Sequence, residues 1–210
     1  MEKNSLTAVI MATMIEAKPF VSGLSLDQIH KKPFLVFKNE KFILLICGIG
    51  KANAAMGTAF CCTQFKPDII FNTGAAGALT MSKNRGEIYQ ISQIIEHDRP
   101  DFKTSQPFIH NLSILKGVKV ETSILSTSDK AAVSQEEREK VSRYGGELVD
   151  MEGASIVQAC KKFKTPCHVF KYVSDTLEDT ESNNIIDNIR SYRQKSFLFF
   201  KDNILKTKSK

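Results

Sequence analysis

Two short segments of the sequence place a carboxylate beside small residues at the end of an apolar run. The first is 148–155, which contains Glu152, and the second is 172–176, which contains Asp175. The apolar run before Ser174 predicts a buried strand, so Ser174 and Asp175 emerge at its carboxyl end. Open α/β sheets bind ligands at that edge. A carboxylate there is partly desolvated, which favours the protonated form that a general acid needs.

Strand-like and helix-like patterns alternate along the rest of the chain, and these elements must position the two segments. Strands are predicted at 6–11, 33–37, 41–47, 67–71, 87–96, 118–125 and 168–173, the second and third as a hairpin. Helices are predicted at 16–24 (with Pro19 in its first turn), 51–64, 136–144, 153–163 and 184–205. Segments 72–77 and 100–117 are predicted as loops. This alternation predicts an α/β sheet with helices on both faces.

The composition excludes several classes of protein. A chain of 210 residues with 42% hydrophobic residues can bury a sizeable core in one domain. Neither a run of eighteen apolar residues nor a signal-peptide pattern is present, so we expect a cytoplasmic protein with no membrane partner. The five cysteines form no CxxC pair, which argues against a metal site and against a disulfide framework.

A net charge of +6 does not by itself indicate a nucleic-acid partner. The lysines are scattered, several lie in the tail at 206–210, and no basic stripe with interleaved aromatic residues accompanies them. The glycine-rich turn at 48–51 fits neither common nucleotide motif. A P-loop needs Gly and Ser or Thr where Leu45 and Ala52 stand, and a dinucleotide fingerprint needs Gly in place of Asn53.

Five blocks of the sequence together resemble the nucleoside phosphorylase superfamily, and within it the 5'-methylthioadenosine/S-adenosylhomocysteine nucleosidases and futalosine hydrolases. They are ATMIEA at 12–17, CGIGKANAA at 47–55, KPDIIFNTGAAG at 66–77, VDMEGA at 149–154 and VSD at 173–175. The resemblance implies a single α/β domain over 1–210, with a central mixed sheet flanked by helices. It also implies a homodimer, for which the Ala- and Met-rich helix from Lys51 is a plausible contact face.

The resemblance assigns roles to five residues of a purine nucleosidase. Asp175 corresponds to the general acid that protonates N7 of the purine, and Ser174 orients it. Glu152 corresponds to the residue that binds the ribose hydroxyls, Met151 lies along the sugar, and Glu16 activates the attacking water. Two carboxylates that act as acid and base suit this reaction, so that neither a metal nor an organic cofactor is implied.

Three further positions are expected near the substrate. Ala75 and Gly77 belong to a segment of small residues whose backbone can approach a ligand closely. Ala131 matches the place where the methylthioadenosine nucleosidases carry an aromatic residue that stacks on adenine. Either this stacking is lost here, or a Phe from elsewhere supplies it.

Water is predicted as the nucleophile in preference to phosphate. A phosphorylase holds its phosphate dianion with arginines, whereas the corresponding places here are residues 14–17 and Asn72. A phosphorylase that uses Arg85 or Lys51, or a non-catalytic nucleoside-binding protein, are the alternatives. Methylthioadenosine and S-adenosylhomocysteine lead as substrates, and futalosine-type nucleosides follow.

Overall fold

The computed structural model describes residues 5–100, 102–179 and 182–205, and these form a central mixed sheet flanked by helices, as predicted. The strands are β1 Thr7–Met11, β2 Asp27–His30, β3 Leu35–Lys38, β4 Phe42–Ile46, β5 Ile69–Ala78, β6 Ile88–Pro100, β7 Pro107–Asn111, β8 Thr122–Thr127, β9 Leu148–Asp150 and β10 Cys167–Asp175. The helices are α1 Met14–Gly23, α2 Lys51–Phe65, α3 Gln135–Ser142, α4 Gly153–Phe163 and α5 Ser182–Phe199, which continues as a π-helix over Phe200–Leu205.

Part of the sheet closes into a ring. Strand β10 pairs with β6 on one side and with β5 on the other, and the order β10-β6-β8-β9-β5 therefore returns to β10. An open extension, β1-β4-β3-β2, continues from β5. Strands β1, β4, β5 and β10 run parallel to their neighbours in this series, so their carboxyl ends meet at one edge.

Strand β1 shows how the sequence builds a core on both faces of the sheet. Its side chains alternate, because successive residues of a strand point to opposite faces. Ala8 and Ile10 pack in the apolar cluster that includes residues of α2 and α4, whereas Val9 and Met11 pack in the cluster formed with α1 and α5. All four side chains are fully buried. Burial of each larger one contributes about 1.5–3 kcal/mol to stability.

The loop predicted at 72–77 is instead the second half of β5. Gly and Ala have weak strand propensity, which is why the sequence pattern suggested a loop. Pairing overrides that propensity, since β5 is bonded to β10 along one edge and to β1 and then β9 along the other. The predicted loop at 100–117 is also wrong in part, because Pro107–Asn111 forms β7 against β6.

Helix α1 begins earlier than predicted, which moves Pro19 out of the first turn and into the helix interior. Proline lacks the N–H that would bond to the carbonyl of Ile15. The side chain of Arg193 on α5 donates to that carbonyl at 2.9 Å and so satisfies it. The hydrogen bond that compensates for Pro19 therefore also links α1 to α5.

Other boundaries differ by a few residues. The strand predicted at 118–125 is β8 at Thr122–Thr127, and the exposed strand β2 and the three-residue β9 were not predicted. Four of the cysteines are buried free thiols and Cys167 is partly buried. Over the described residues, no helix is long and apolar enough to cross a membrane. The lysine-rich tail at 206–210 lies outside the described residues.

Candidate active site

A cavity of about 240 Å³ opens at the edge where the carboxyl ends of β1, β5 and β10 meet. This is the edge at which open α/β sheets bind ligands. The structure brings all eight residues predicted for the site to the wall of this one cavity. They are Glu16, Ala75, Gly77, Ala131, Met151, Glu152, Ser174 and Asp175.

Asp175 enters the cavity because β10 is irregular at its last residues. The register against β5 shifts between Val173 and Asp175, and such bulges re-aim side chains next to active sites. The Asp175 carboxylate is buried and is contacted by the hydroxyl of Ser174 and by the guanidinium of Arg138. Gly77 makes room for it, since a Cβ there would lie 2.7 Å from Oδ2 of Asp175.

Glu16 is held rigidly at the start of α1. It is the third residue of a capping box, in which the Thr13 hydroxyl and backbone N–H donate to Oε2 at 2.7 and 3.1 Å. The backbone N–H of Ala75 donates to the other oxygen, Oε1, at 2.9 Å. Gly74 leaves space for this oxygen, because a Cβ there would lie 2.7 Å from it. The capping of α1 thus also fixes a carboxylate at the cavity.

Glu152 stands at the N-cap of α4, but its side chain makes no capping hydrogen bond. One carboxylate oxygen instead accepts from the backbone N–H of Gly50 at 2.8 Å, and this bond ties the β4–α2 turn to the site. Burial, reinforced by the neighbouring Asp150, raises the pKa of Glu152 to about 7. Because the folded-state pKa is raised, this group costs stability as the pH climbs from about 4.5 to 7.

Comparison with known proteins places this arrangement in a family. The profile described as "Phosphorylase superfamily" matches residues 12–204. The chain belongs to the phosphorylase superfamily. The predicted resemblance is thereby confirmed.

Curated and structural relatives agree with this membership. The 5'-methylthioadenosine/S-adenosylhomocysteine nucleosidase of Staphylococcus aureus (strain MRSA252) is 30% identical over 161 residues, which cover 67% of this chain and 71% of that protein. The Helicobacter pylori 5'-methylthioadenosine/S-adenosylhomocysteine nucleosidase with butyl-thio-DADMe-Immucillin-A superposes with a TM-score of 0.83 at 20% identity, covering 95% of this chain and 97% of that one. The futalosine hydrolase of Helicobacter pylori strain 26695 superposes with a TM-score of 0.82 at 21% identity, over 94% and 96%. These two structural likenesses show the fold.

The sequence analysis of this phosphorylase-superfamily chain missed Lys171, which contacts the cavity lining through Asp150. It is 2% exposed, and its Nζ lies 2.8 Å from Oδ2 of Asp150. The charges of Asp150, Glu152 and Glu16 raise the pKa of Lys171 against the opposing effect of its own burial. A lysine within the apolar run of β10 was the available signal, since a charge in a buried strand requires a partner.

Arg138 and two isoleucines were also missed. Arg138 lies on the charged helix α3, where nothing in the pattern separates an inward-facing cation from the exposed ones. Ile185 and Ile189 line the cavity from α5, and their spacing of four residues places them on one helix face.

The described lining of the cavity contains no aromatic residue. The choice between the two outcomes for the base, loss of stacking at Ala131 or a Phe from elsewhere, stays a prediction. Ala131, Ala132 and Val133 supply a wall of small apolar side chains instead. This wall offers van der Waals contact to a planar base but no ring to stack on it.

Proposed function

We propose that this protein is a purine nucleosidase that hydrolyses the N-glycosidic bond of a 5'-modified nucleoside. One observation carries the proposal: three buried carboxylates, Glu16, Glu152 and Asp175, converge on one cavity from three different elements. A carboxylate can serve as the acid, as the base and as the group that binds the sugar, so these three suffice for hydrolytic loss of a purine.

The proposed roles are those that the family resemblance assigns to these residues. Asp175, beside the Ser174 hydroxyl, protonates N7 of the purine as the bond between C1' and N9 breaks. Glu152 accepts hydrogen bonds from the ribose hydroxyls, with Met151 along the sugar. Glu16, fixed by Thr13, takes a proton from the attacking water. Glu16 and the ionised form of Glu152 stabilise the positive sugar of an oxocarbenium-like transition state.

The charges of the cavity favour water over phosphate as the nucleophile. All four ionisable residues in its described lining are acids: Glu16, Asp150, Glu152 and Asp175. The two cations considered for a phosphorylase are engaged elsewhere. Arg85 pairs with Asp179 at 2.8 Å, and Lys51 pairs with Asp98 at 2.6 Å. The buried cations beside this lining, Lys171 and Arg138, are paired with Asp150 and Asp175. A phosphate dianion would therefore meet repulsion from Glu16 and Glu152.

The nature of the 5' group is also part of the proposal. The apolar side chains of Ile49, Ile185 and Ile189 line the cavity and suit a thioether substituent. The Staphylococcus aureus relative is named for methylthioadenosine and S-adenosylhomocysteine, so we place these two substrates first. Futalosine-type nucleosides come second, because a futalosine hydrolase has the same fold.

The decisive measurement for this function is base release with and without phosphate. We expect methylthioadenosine to yield free adenine and free sugar, which chromatography detects. Because water is the nucleophile, the rate should change by less than about twofold when phosphate is added. A rate that requires phosphate, with a sugar phosphate as product, would establish the phosphorylase. Nucleoside binding without release would establish the binding protein.

We also propose that the protein is a homodimer that uses the face of α2. Ile49 and Met56 are each 56% exposed, and Ala52 is exposed between them. Ile49 also lines the cavity, so a partner that covers this strip would close one side of the site. A cytoplasmic location and one domain over 1–210 stay predictions of the sequence.

Sedimentation velocity tests this interface. The protein is expected at twice the monomer mass at micromolar concentration, and M56E is expected to shift it to the monomer because a charge is buried without a partner. A matched charge on another exposed apolar residue, M81E, should leave the dimer intact. A monomeric parent protein would contradict the proposal.

A further inference from the structure

The contact between Arg138 and Asp175 goes beyond what the proposed roles require. Arg138 is 1% exposed, and its Nη2 donates to Oδ2 of Asp175. Its Nη1 donates to the carbonyls of Ala78 at 3.1 Å and Thr176 at 2.9 Å. Thr176 follows Asp175, and Ala78 follows Gly77, the β5 partner of Asp175. The guanidinium is therefore fixed by the backbone on both sides of the acid.

This contact makes the two oxygens of Asp175 unequal. A guanidinium has only donors, so Oδ2 must accept from it and cannot carry a proton towards it. The other oxygen, Oδ1, contacts the hydroxyl of Ser174, which also lies 3.3 Å from the carbonyl of Ala76. A hydroxyl has one proton to donate. When the hydroxyl of Ser174 donates its hydrogen bond to the carbonyl of Ala76, it accepts at Oδ1. Oδ1 is then the oxygen of Asp175 that can carry a proton.

We propose that Arg138 is a positioning residue for proton transfer, and this inference rests on the proposed nucleosidase function. Arg138 directs the proton of Asp175 to Oδ1 and stabilises the carboxylate that remains. In the step itself, the proton moves from Oδ1 to N7, and the electron pair of the C1'–N9 bond passes to the base. Asp175 is left as an anion beside the guanidinium.

A merely structural role for Arg138 makes a different prediction. The residue also ties α3 to the ends of β5 and β10, so its removal could slow every substrate by loosening the cavity. A role in proton transfer affects only the substrates whose leaving group needs a proton. A comparison of two substrates, one whose leaving group needs a proton and one whose leaving group does not, therefore distinguishes the two roles.

The experiment compares R138M with the parent enzyme on two substrates. One is methylthioadenosine, and the other is the 4-nitrophenyl glycoside of the same 5-methylthioribose, whose leaving group departs without protonation. We expect kcat for methylthioadenosine to fall about 10²- to 10³-fold, within the range of about 10²–10⁴ for general-acid effects, with KM changed much less. For the nitrophenyl glycoside we expect a change of less than about threefold. Equal losses on both substrates, or no loss on either, would overturn the proposal.

Two further variants keep the test decisive. R85M is the matched control, because Arg85 pairs with Asp179 outside the cavity, and it should behave like the parent on both substrates. If circular dichroism shows that R138M does not fold, R138K replaces it in the test. Lysine keeps a positive charge near Oδ2 but cannot donate from two nitrogens at once, as the guanidinium does. R138K should show a smaller loss, confined to methylthioadenosine.

A double-mutant cycle gives a second readout that does not depend on the nitrophenyl substrate. If Arg138 acts through Asp175, removing it from D175N should slow methylthioadenosine turnover by less than about threefold. A further loss of about a hundredfold in R138M/D175N would overturn the proposal. Failure of the nucleosidase function itself looks different, because the parent enzyme would then release no base from any nucleoside.

Discussion

Replacement of Asp175 by Asn is expected to lower kcat for methylthioadenosine about 10²- to 10⁴-fold, because the general acid is lost. Asn has nearly the same shape, and its carbonyl can still accept from Arg138, so the cavity should keep its form. Nucleoside binding should therefore stay within a few-fold of the parent value. Single-turnover base release, together with calorimetric binding of the nucleoside, measures both quantities.

Asp179→Asn provides the matched control for this prediction. Asp179 is a buried aspartate four residues away that accepts from the Thr176 N–H at 2.7 Å and pairs with Arg85. It does not line the cavity. D179N should turn over like the parent enzyme, whereas turnover at the parent rate by D175N would refute the role of Asp175.

Replacement of Glu16 by Gln is expected to reduce kcat by a similar factor of about 10²–10⁴, because an amide cannot take the proton of water. The substitution is close to isosteric, and the amide oxygen can still accept from the N–H of Ala75. KM should therefore change much less than kcat. Steady-state kinetics of adenine release at saturating methylthioadenosine measures this loss.

The control for Glu16 comes from the other capping box. Glu137 occupies the same third position at the start of α3, where it accepts from the backbone of Ser134 at 3.1 Å, outside the lining of the cavity. E137Q removes a capping carboxylate, together with its exposed ion pair to Lys130, without changing the lining of the cavity, so that its turnover should match the parent rate. If E16Q and E137Q had equal turnover, Glu16 would have only its capping role.

The sequence identified most of the elements that carry the candidate site. Strand β1 and the start of β5 could be predicted because apolar, β-branched runs favour strands. Helix α4 follows from the regular spacing of its apolar residues. The blocks at 149–154 and 173–175 predict that Glu152 and Asp175 share one site, because their residue types match a family motif.

The second half of β5 could not be read from the sequence. Apart from Thr73, residues 72–77 are of types that are depleted in strands, so their pairing partners decide their conformation. Those partners lie far along the chain, with Gly77 opposite both Asp175 and Val149. Closure of the sheet into a ring is therefore a tertiary event, and it brings the small residues of β5 against the acid.

Taken alone, the sequence determined the superfamily, the α/β class and the acidic residues of the candidate site, because these depend on residue type and local spacing. The tertiary structure decided which cations face those acids. Arg138 meets Asp175 across 37 positions of the chain, and Lys171 meets Asp150 from a different strand. Whether a charged side chain is buried depends on finding such a partner, because an unpaired charge costs too much to desolvate. Tertiary packing brings that partner into contact, and no local sequence pattern in α3 or β10 predicts which residue it is.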